Sequence, residues 1–183
     1  YVETLINALE RSEKIDVSCN LEDFFFKCAE EYDVVHFQWP EAIYRWRDDI
    51  KQEDVDVVEH QIQTIKKAGK KIFVTCHNIQ PHVIHNTLYL DLYDIVNRNV
   101  DVMLHLGEYS KQLFEKKYPK VNHILLPHHI YDNLYKQFPD RETSCKHLNL
   151  NPTWRYILCV GAWRHEEERS LLLKVLRNLP HNR

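Results

Sequence analysis

Glycine is scarce in this sequence, and its scarcity excludes one common kind of site. Only three of the 183 residues are glycine, at positions 69, 107 and 161. Loops that cradle phosphate groups need several closely spaced glycines, because their backbones must approach the ligand. The chain therefore contains no glycine-rich phosphate-binding loop. This counts against one reading of the sequence, a flavodoxin-like or other nucleotide-binding α/β module.

Long apolar runs, an excess of basic residues and paired cysteines are missing as well. No run approaches the ~18 apolar residues of a transmembrane helix, and no signal peptide is visible. The formal net charge of −3 gives no general reason to expect nucleic-acid binding. The five cysteines are scattered, odd in number and free of any CxxC pair, which is typical of a reducing compartment. We therefore expect a cytoplasmic protein that binds no nucleic acid.

The residues that are present alternate between helical and strand-like patterns. With 44% hydrophobic and 28% charged residues, the chain has the composition of a globular protein. Alternating helices and strands predict a parallel sheet with right-handed crossovers, here a Rossmann-like α/β fold. The short apolar strands are typical of strands buried on both faces. The periodicity predicts helices at 1–10, 21–32, 53–68, 88–97 and 110–118, and strands at 15–19, 34–38, 71–76, 100–105 and 123–126.

The pattern changes after the last of these strands. Residues 131–152 are polar, aromatic and irregular, as in a linker. A further strand at 156–160 and a helix at about 166–179 follow, and one such pair buries too little surface to fold alone. We therefore predict a first domain at 1–130, a linker at 131–153, and the start of a second domain at 154–183.

A polar pair, His77 and Asn78, follows the predicted strand at 71–76. Ligands of α/β proteins bind beyond the carboxyl ends of parallel strands, so this position is a candidate site. Each residue has a structural alternative: His77 could bond a backbone carbonyl at the strand end, and asparagine tolerates the left-handed conformation of turns. A metal site formed by His77, His82 and His85 matches no tight ligand spacing and would need further ligands.

The strand at 34–38 ends in the same way and delivers Trp39 and Glu41 to its carboxyl end. An aromatic ring can stack on a sugar face, and a carboxylate can bind hydroxyls or act as a base. The alternative is that Trp39 only packs the loop. Two strands with polar carboxyl ends together predict a cleft. Nearby, residues 43–47 interleave aromatic rings with arginines, which suits either an acceptor-side or membrane-proximal surface, or an ordinary helix.

Four segments, in order, resemble the N-terminal half of glycosyltransferases of the GT-B fold, and most closely the glycosyltransferase-4 type of bacterial polysaccharide synthesis. The segments are DVVHFQWPE, IFVTCHNIQPH, VDVMLHLGEYSKQLF and HILLPHHIYDNLY. The later segment YILCVGAWRHEEERSLLLKVL resembles the opening strand and helix of the family's C-terminal, donor-binding domain. The resemblance covers nearly the whole chain.

The resemblance implies transfer of a sugar from a nucleotide-sugar donor to a saccharide or lipid-linked acceptor, with no metal or other cofactor. It implies a cytoplasmic enzyme and leaves peripheral contact with the inner membrane open. A histidine with a near-neutral pKa suits a group that hydrogen-bonds the transferring sugar or polarises the acceptor. The implied roles are catalysis for His77, acceptor binding for Trp39, Glu41, Asn78 and His82, and donor binding for Arg164 and His128.

Three departures from the family pattern limit what these residues should do alone. We expect the family's first, central strand to be missing from these residues, because residue 1 already lies in a helical pattern. The E-x7-E-like motif of the donor domain would follow only after several further strand–helix units, and His165 stands where many relatives have a lysine after G-x-x-R. We therefore expect the 183 residues alone to be inactive. The competing hypothesis is a non-catalytic binding or assembly domain of the same fold.

Overall fold

The computed structural model describes residues 2–12, 14–81, 86–128, 139–158, 160–161 and 166–178. The chain divides into two compact units, Tyr1–His129 and Ile130–Arg183. In the first unit, the elements are α1 (Val2–Glu10), α2 (Leu21–Phe26), β1 (Val34–Phe37), a 3₁₀ helix (Pro40–Tyr44), α3 (Gln52–Lys67), β2 (Lys71–Cys76), α4 (Leu88–Asn99), β3 (Val102–His105), α5 (Glu108–Lys117) and β4 (Asn122–Leu125).

The four strands form one parallel sheet whose spatial order, β1-β2-β3-β4, is also the order along the chain. Phe37 pairs with Val74 and Cys76 pairs with His105, so the carboxyl ends of the strands lie along one edge. This confirms the predicted Rossmann-like α/β fold, with a parallel sheet flanked by helices.

The two faces of the sheet are buried unequally. Val35, Ile72 and Met103 point to one face and belong to the hydrophobic core together with apolar residues of α3 and α4. On the opposite face Val34 and Ile124 are more than 40% exposed. Connections between parallel strands of one sheet are almost always right-handed crossovers, and these strands lie in chain order. Such connections place their helices on the same side of the sheet. In the described residues this second face is therefore less buried at the edge strands, whereas Thr75 on the same face of β2 is 1% exposed.

Local sequence signals set several helix ends. Asn20 caps α2, because its side chain accepts a hydrogen bond from the Glu22 backbone N–H at 3.0 Å. Gly69 follows α3 with φ of 78°, a left-handed conformation that glycine adopts at little cost. The Gly69 N–H bonds to the Lys66 carbonyl and the Lys70 N–H to the Ile65 carbonyl, which closes the helix with a Schellman motif.

Two predicted elements of the first unit are wrong. Residues 15–19 are irregular and form no strand, because they pair with no strand that the structure describes. The helix predicted over 21–32 ends at Phe26 and continues as turns. These turns return Tyr32 to the start of the helix, where its hydroxyl donates a hydrogen bond to Asp23 at 2.6 Å.

The second unit contains α6 (Arg141–His147) and α7 (Glu166–Asn178). Helix α6 lies inside the expected linker and is capped by Asp140, whose side chain accepts a hydrogen bond from the Thr143 N–H. The strand predicted at 156–160 does not form in its described residues, and the described part of this unit contains no strand with which they could pair. Helix α7 agrees with the predicted helix at 166–179. No helix in the described parts of the chain is long and apolar enough to cross a bilayer.

Candidate functional site

The carboxyl ends of β1 and β2 bring three polar or aromatic side chains together. The His77 Nε2–H donates a hydrogen bond to the Gln38 side-chain oxygen at 2.9 Å. The Trp39 ring stacks on the His77 imidazole with 4.2 Å between centroids and 16° between planes. His77 and Trp39, predicted from separate strand ends, are therefore in direct contact.

His36 extends this arrangement along β1. Its Nε2 lies 2.8 Å from Thr75 Oγ1 and 3.2 Å from the Gln38 amide nitrogen. The Thr75 hydroxyl and the Gln38 amide can both donate to His36 Nε2 when this nitrogen carries no hydrogen. Gln38 thus links the two imidazoles, accepting from His77 and donating to His36. The bridge fixes the orientation of His77 at the strand end.

Burial keeps both imidazoles neutral at pH 7. The pKa of His77 is lowered from 6.5 to about 4, first by burial and then by the nearby His128 and His36. The pKa of His36 is lowered to about 4 by burial alone. The expected near-neutral pKa of His77 is therefore wrong. A neutral imidazole can hydrogen-bond a hydroxyl, but it holds no extra proton to donate as a general acid.

Asn78 and Glu41 carry buried polar atoms beside the Tyr93 phenol. The Asn78 backbone lies outside the left-handed region that the turn alternative invoked. Asn78 Nδ2 and the carboxylate oxygens of Glu41, which is 2% exposed, reach no described partner at ordinary hydrogen-bond distance and angle. Both side chains nevertheless interact with the Tyr93 hydroxyl: burial first and then Glu41 raise the pKa of Tyr93, whereas Asn78 lowers it. The carboxylate therefore lies inside the protein and not on an open surface.

The remaining predicted site residues fall into two groups, one described and one outside the described residues. His128 is exposed in the first unit, and its effect on the pKa of His77 shows that the two side chains are electrostatic neighbours. His82 and Arg164 lie outside the described residues, as does His85 of the metal alternative. Within the described chain, no group of three or more metal-ligating side chains comes together.

Sequence reasoning missed a second histidine pair, on β3 and β4. His105 Nε2 lies 2.8 Å from His123 Nδ1, and the rings stack with centroids 5.1 Å apart. Met103 pairs with His123 and His105 with Leu125, so the two histidines are diagonal neighbours on one face of the sheet. The sequence does show that each histidine alternates with apolar residues along its strand, which indicates a position on one face of the sheet. Only the pairing register between β3 and β4 shows that the two histidines are neighbours.

The outer ring nitrogen of each histidine in this second pair also has a hydrogen-bonding neighbour, a backbone carbonyl for one and a hydroxyl for the other. His123 Nε2 bonds the Tyr118 carbonyl at 3.0 Å, so this nitrogen carries the hydrogen. His123 Nδ1 then accepts from His105 Nε2–H, and His105 Nδ1 faces the Ser110 hydroxyl at 3.2 Å. The His105 side chain is fully buried, and burial, followed by the electrostatic effect of the neighbouring His123 ring, lowers the pKa of His105 to about 4.

A small cavity and a wider groove lie among the described residues of the first unit. The small cavity, with about 10 Å³ of space for the centre of a water molecule, is lined in nearly equal parts by polar and apolar surface. It lies beside the strand ends and is bordered by Gln38, Thr75, His77, Asn78, Tyr93 and Asn97, among others. A wider apolar groove of about 480 Å³ runs between α2 and α3, away from the predicted site, and is lined by Phe25, Phe26, Asp56, Val57, His60 and Gln61.

Comparisons with protein-family models, curated proteins and solved structures found no match to this chain.

Proposed function

We propose that this chain supplies the acceptor side of a glycosyltransferase that uses a nucleotide-sugar donor. The observation that carries the proposal is the contact of Trp39, His77 and Gln38 at the carboxyl ends of two parallel strands. Binding sites of α/β proteins lie at this edge of the sheet, and they combine aromatic surface with a few oriented polar groups. Such a group of side chains suits a saccharide, which presents both apolar ring faces and hydroxyls.

In this proposal His77 orients the acceptor hydroxyl for attack on the donor sugar. Holding two reactants in the correct geometry removes a large entropic part of the barrier. The Gln38 hydrogen bond and the Trp39 stack already restrict the imidazole, so little freedom is lost when the acceptor binds. With a pKa of about 4, His77 acts mainly through hydrogen bonding and is a weak general base at pH 7.

The donor side of the proposal rests on the sequence resemblance. The resemblance gives donor-binding roles to Arg164, whose guanidinium suits the paired oxygens of a phosphate, and to His128. No metal enters the proposal, because these groups would meet the negative charge of the leaving diphosphate. The same resemblance supports a hexosyl donor, bacterial surface-polysaccharide synthesis in the cytoplasm, and peripheral contact with the inner membrane.

Sugar transfer by the full-length protein that carries this chain tests the proposal. A panel of radiolabelled nucleotide sugars is offered with saccharide and lipid-linked acceptors, and transferred label is counted. We expect transfer from at least one donor and a loss of about 100-fold or more for His77→Ala, as for other positioned hydrogen-bonding or acid–base groups. The exposed His60 on α3 provides a control, and His60→Ala should retain full activity.

Absence of transfer from every donor, or His77→Ala activity within twofold of wild type, contradicts the proposal. Saccharide binding without transfer would favour the alternative, a non-catalytic binding domain. Binding is measured separately by calorimetry with the same acceptors. The 183 residues alone are expected to bind an acceptor weakly and to transfer no sugar.

A further inference from the structure

The connection between the 3₁₀ helix and α3 carries an exposed tryptophan that the proposed function does not use. Trp46 is 56% exposed, and no aromatic ring or cation of the described chain stacks on its indole. It belongs to the stretch 43–47, for which the sequence allows an acceptor-side surface, a membrane-proximal surface or an ordinary helix. This connection starts at the carboxyl end of β1, so Trp46 lies at the same edge of the sheet as Trp39 and His77.

The backbone that presents this tryptophan is strained. Arg45 has φ of 52° and Trp46 has φ of 55°, and both values lie in the left-handed region. Their N–H groups bond the carbonyls of Ala42 and Glu41 at 2.9 and 3.2 Å, which is the pattern that closes α3. At the end of α3 the left-handed residue is Gly69, whereas here two large residues adopt that conformation at a cost. Such strain is found most often at functional sites, which makes this loop a candidate.

Two side chains at the start of α4 hold the strained loop in place. The Tyr89 hydroxyl donates a hydrogen bond to the Arg47 carbonyl at 2.8 Å. The Asn86 side-chain amide donates to the carbonyls of Asp48 and Ile50 at 3.2 and 2.7 Å. The loop backbone is thus fixed by the protein, while the indole ring at its tip remains exposed to solvent. An aromatic ring on a fixed backbone loses little conformational freedom when it binds a ligand.

The charge around the exposed indole favours a saccharide over a membrane surface. Residues 45–54 contain three basic and four acidic side chains. The Arg47 guanidinium lies 3.6 Å from the Asp49 carboxylate and 3.7 Å from that of Asp54, so its charge is balanced. Anionic membranes attract clusters of about four to eight basic residues, which this loop lacks. An exposed ring beside balanced polar groups suits an uncharged sugar, which presents apolar faces and hydroxyls.

We infer that Trp46 is the stacking platform for a second sugar unit of an oligosaccharide acceptor. The inference rests on the proposed function, in which the first unit lies at His77 and Trp39. The five residues of the 3₁₀ helix between the two tryptophans span about 10 Å, at a rise of about 2.0 Å per residue. An acceptor longer than one sugar can therefore reach both indoles. The site would then prefer oligosaccharides to monosaccharides.

Nuclear magnetic resonance on the ¹⁵N-labelled chain tests this subsite through the tryptophan indole N–H signals, assigned by single substitutions to phenylalanine. Methyl glucoside, galactoside and mannoside are titrated first, followed by cellotriose, galactotriose and mannotriose. We expect one methyl glycoside to shift the Trp39 signal alone and its trisaccharide to shift the Trp39 and Trp46 signals together. The trisaccharide should bind about 10-fold more tightly, as one added stacking contact allows.

Substitutions at Trp46 should remove only this added affinity. In Trp46→Ala the trisaccharide should bind no more tightly than the methyl glycoside, whose own affinity should stay within twofold. The melting temperature should stay within about 2 °C, because the ring is mostly exposed. Trp154→Ala is the matched control, since that ring is 64% exposed in the second unit, and it should keep the tighter binding of the trisaccharide. Should Trp46→Ala fail to fold, Trp46→Gly replaces it, because glycine adopts a φ of 55° freely.

The possible outcomes separate the subsite from the proposed function. A trisaccharide that shifts the Trp39 signal but not that of Trp46, or that binds Trp46→Ala as tightly as wild type, overturns the subsite and leaves the proposed function standing. A shift of the Trp46 signal alone supports saccharide binding at this ring but counts against an acceptor site at His77. If neither signal responds, the subsite is overturned and sugar transfer alone decides the proposed function.

A vesicle experiment examines the membrane alternative. The chain is sedimented with vesicles made of equal parts phosphatidylcholine and phosphatidylglycerol, and bound protein is measured for wild type, Trp46→Ala and Trp154→Ala. We expect little binding and no difference among the three proteins, because the loop has no excess of basic residues. Vesicle binding that is lost only in Trp46→Ala would assign the ring to a membrane surface and overturn the saccharide subsite.

Discussion

The sheet carries two histidine clusters near its carboxyl edge, and they differ in what surrounds them. His36 and His77 are partly exposed and are joined through the Gln38 amide. His105 and His123 bond each other directly, with His105 fully buried between the strands and α5. His36, His77 and His105 all have a pKa lowered to about 4. A lowered pKa therefore does not separate a site from a structural contact.

The distinguishing feature is access. The hydrogen bonds of the His105–His123 pair end at the Tyr118 carbonyl and the Ser110 hydroxyl, which leaves no described route to a ligand. His77 is half-buried at the end of its strand, beside a cavity and an aromatic ring. We therefore expect the first cluster to control ligand binding and the second to control stability.

Removing each imidazole should separate these roles most clearly. We expect His105→Ala to reduce the free energy of unfolding by about 3 kcal/mol, because it opens a core cavity and leaves His123 without its donor. His77→Ala should cost below about 1 kcal/mol, since the ring is only partly buried. Urea unfolding measures both losses. Equal losses would remove the distinction between the clusters.

The pH dependence of stability is the next largest effect. In the unfolded chain a histidine takes up a proton near pH 6.5, whereas in the fold these imidazoles stay neutral down to about pH 4. The unfolded state therefore binds more protons between these values, and stability falls as pH decreases from 6.5 to 4. Each such histidine contributes a slope of up to about 1.4 kcal/mol per pH unit. Urea unfolding at a series of pH values should show a shallower slope in His105→Gln; an unchanged slope would contradict the assignment.

Exposing one histidine cluster to water should change the pKa of the histidine in that cluster and leave the pKa of the histidine in the other cluster unchanged. Trp39→Ala removes the ring stacked on His77 and admits solvent, so the pKa of His77 should rise by about one unit. The pKa of His105 should stay within about 0.2 units, because it lies in the other cluster. Imidazole ¹H chemical shifts followed across pH give both values in one sample. A shift of both would mean that the clusters are coupled.

Hydroxyl deletions should have the smallest effect and sharpen the comparison further. Thr75→Val removes the oxygen 2.8 Å from His36 Nε2, and Ser110→Ala removes the oxygen 3.2 Å from His105 Nδ1. Each should cost about 1 kcal/mol in urea unfolding. Only Thr75→Val should also change acceptor affinity, measured by calorimetry. An effect of Ser110→Ala on affinity would place the second cluster in the site.

The fold was predictable where local sequence determines structure. Strand β2 has the predicted bounds because its apolar run is preceded by a helix-ending glycine and followed by polar residues. The strands predicted at 15–19 and 156–160 do not form in their described residues, because a strand depends on a partner that its own sequence does not specify. Whether such a partner exists is decided by the rest of the fold.

The candidate site was only partly predictable for a similar reason. The strand-end rule predicted one cleft for His77 and Trp39, because parallel strands end at one edge. It did not reveal that Gln38 bridges two imidazoles or that the Glu41 carboxylate is buried. Those facts depend on where side chains point after the strand ends. In that loop the regular alternation of side chains between the two faces of a strand no longer applies. The His105–His123 contact similarly depends on register.

The agreement between strand order and chain order also bears on how the protein folds. Every strand pairs with the strand before or after it in sequence, so no pairing has to wait for a distant segment. Val102 and Asn122 are closer in the chain than Val34 and Lys71. Closing the shorter loop costs less entropy, so β3 and β4 should associate before β1 and β2. The buried histidine pair would then be among the first contacts made, and the strand ends around His77 would be assembled on an existing half-sheet.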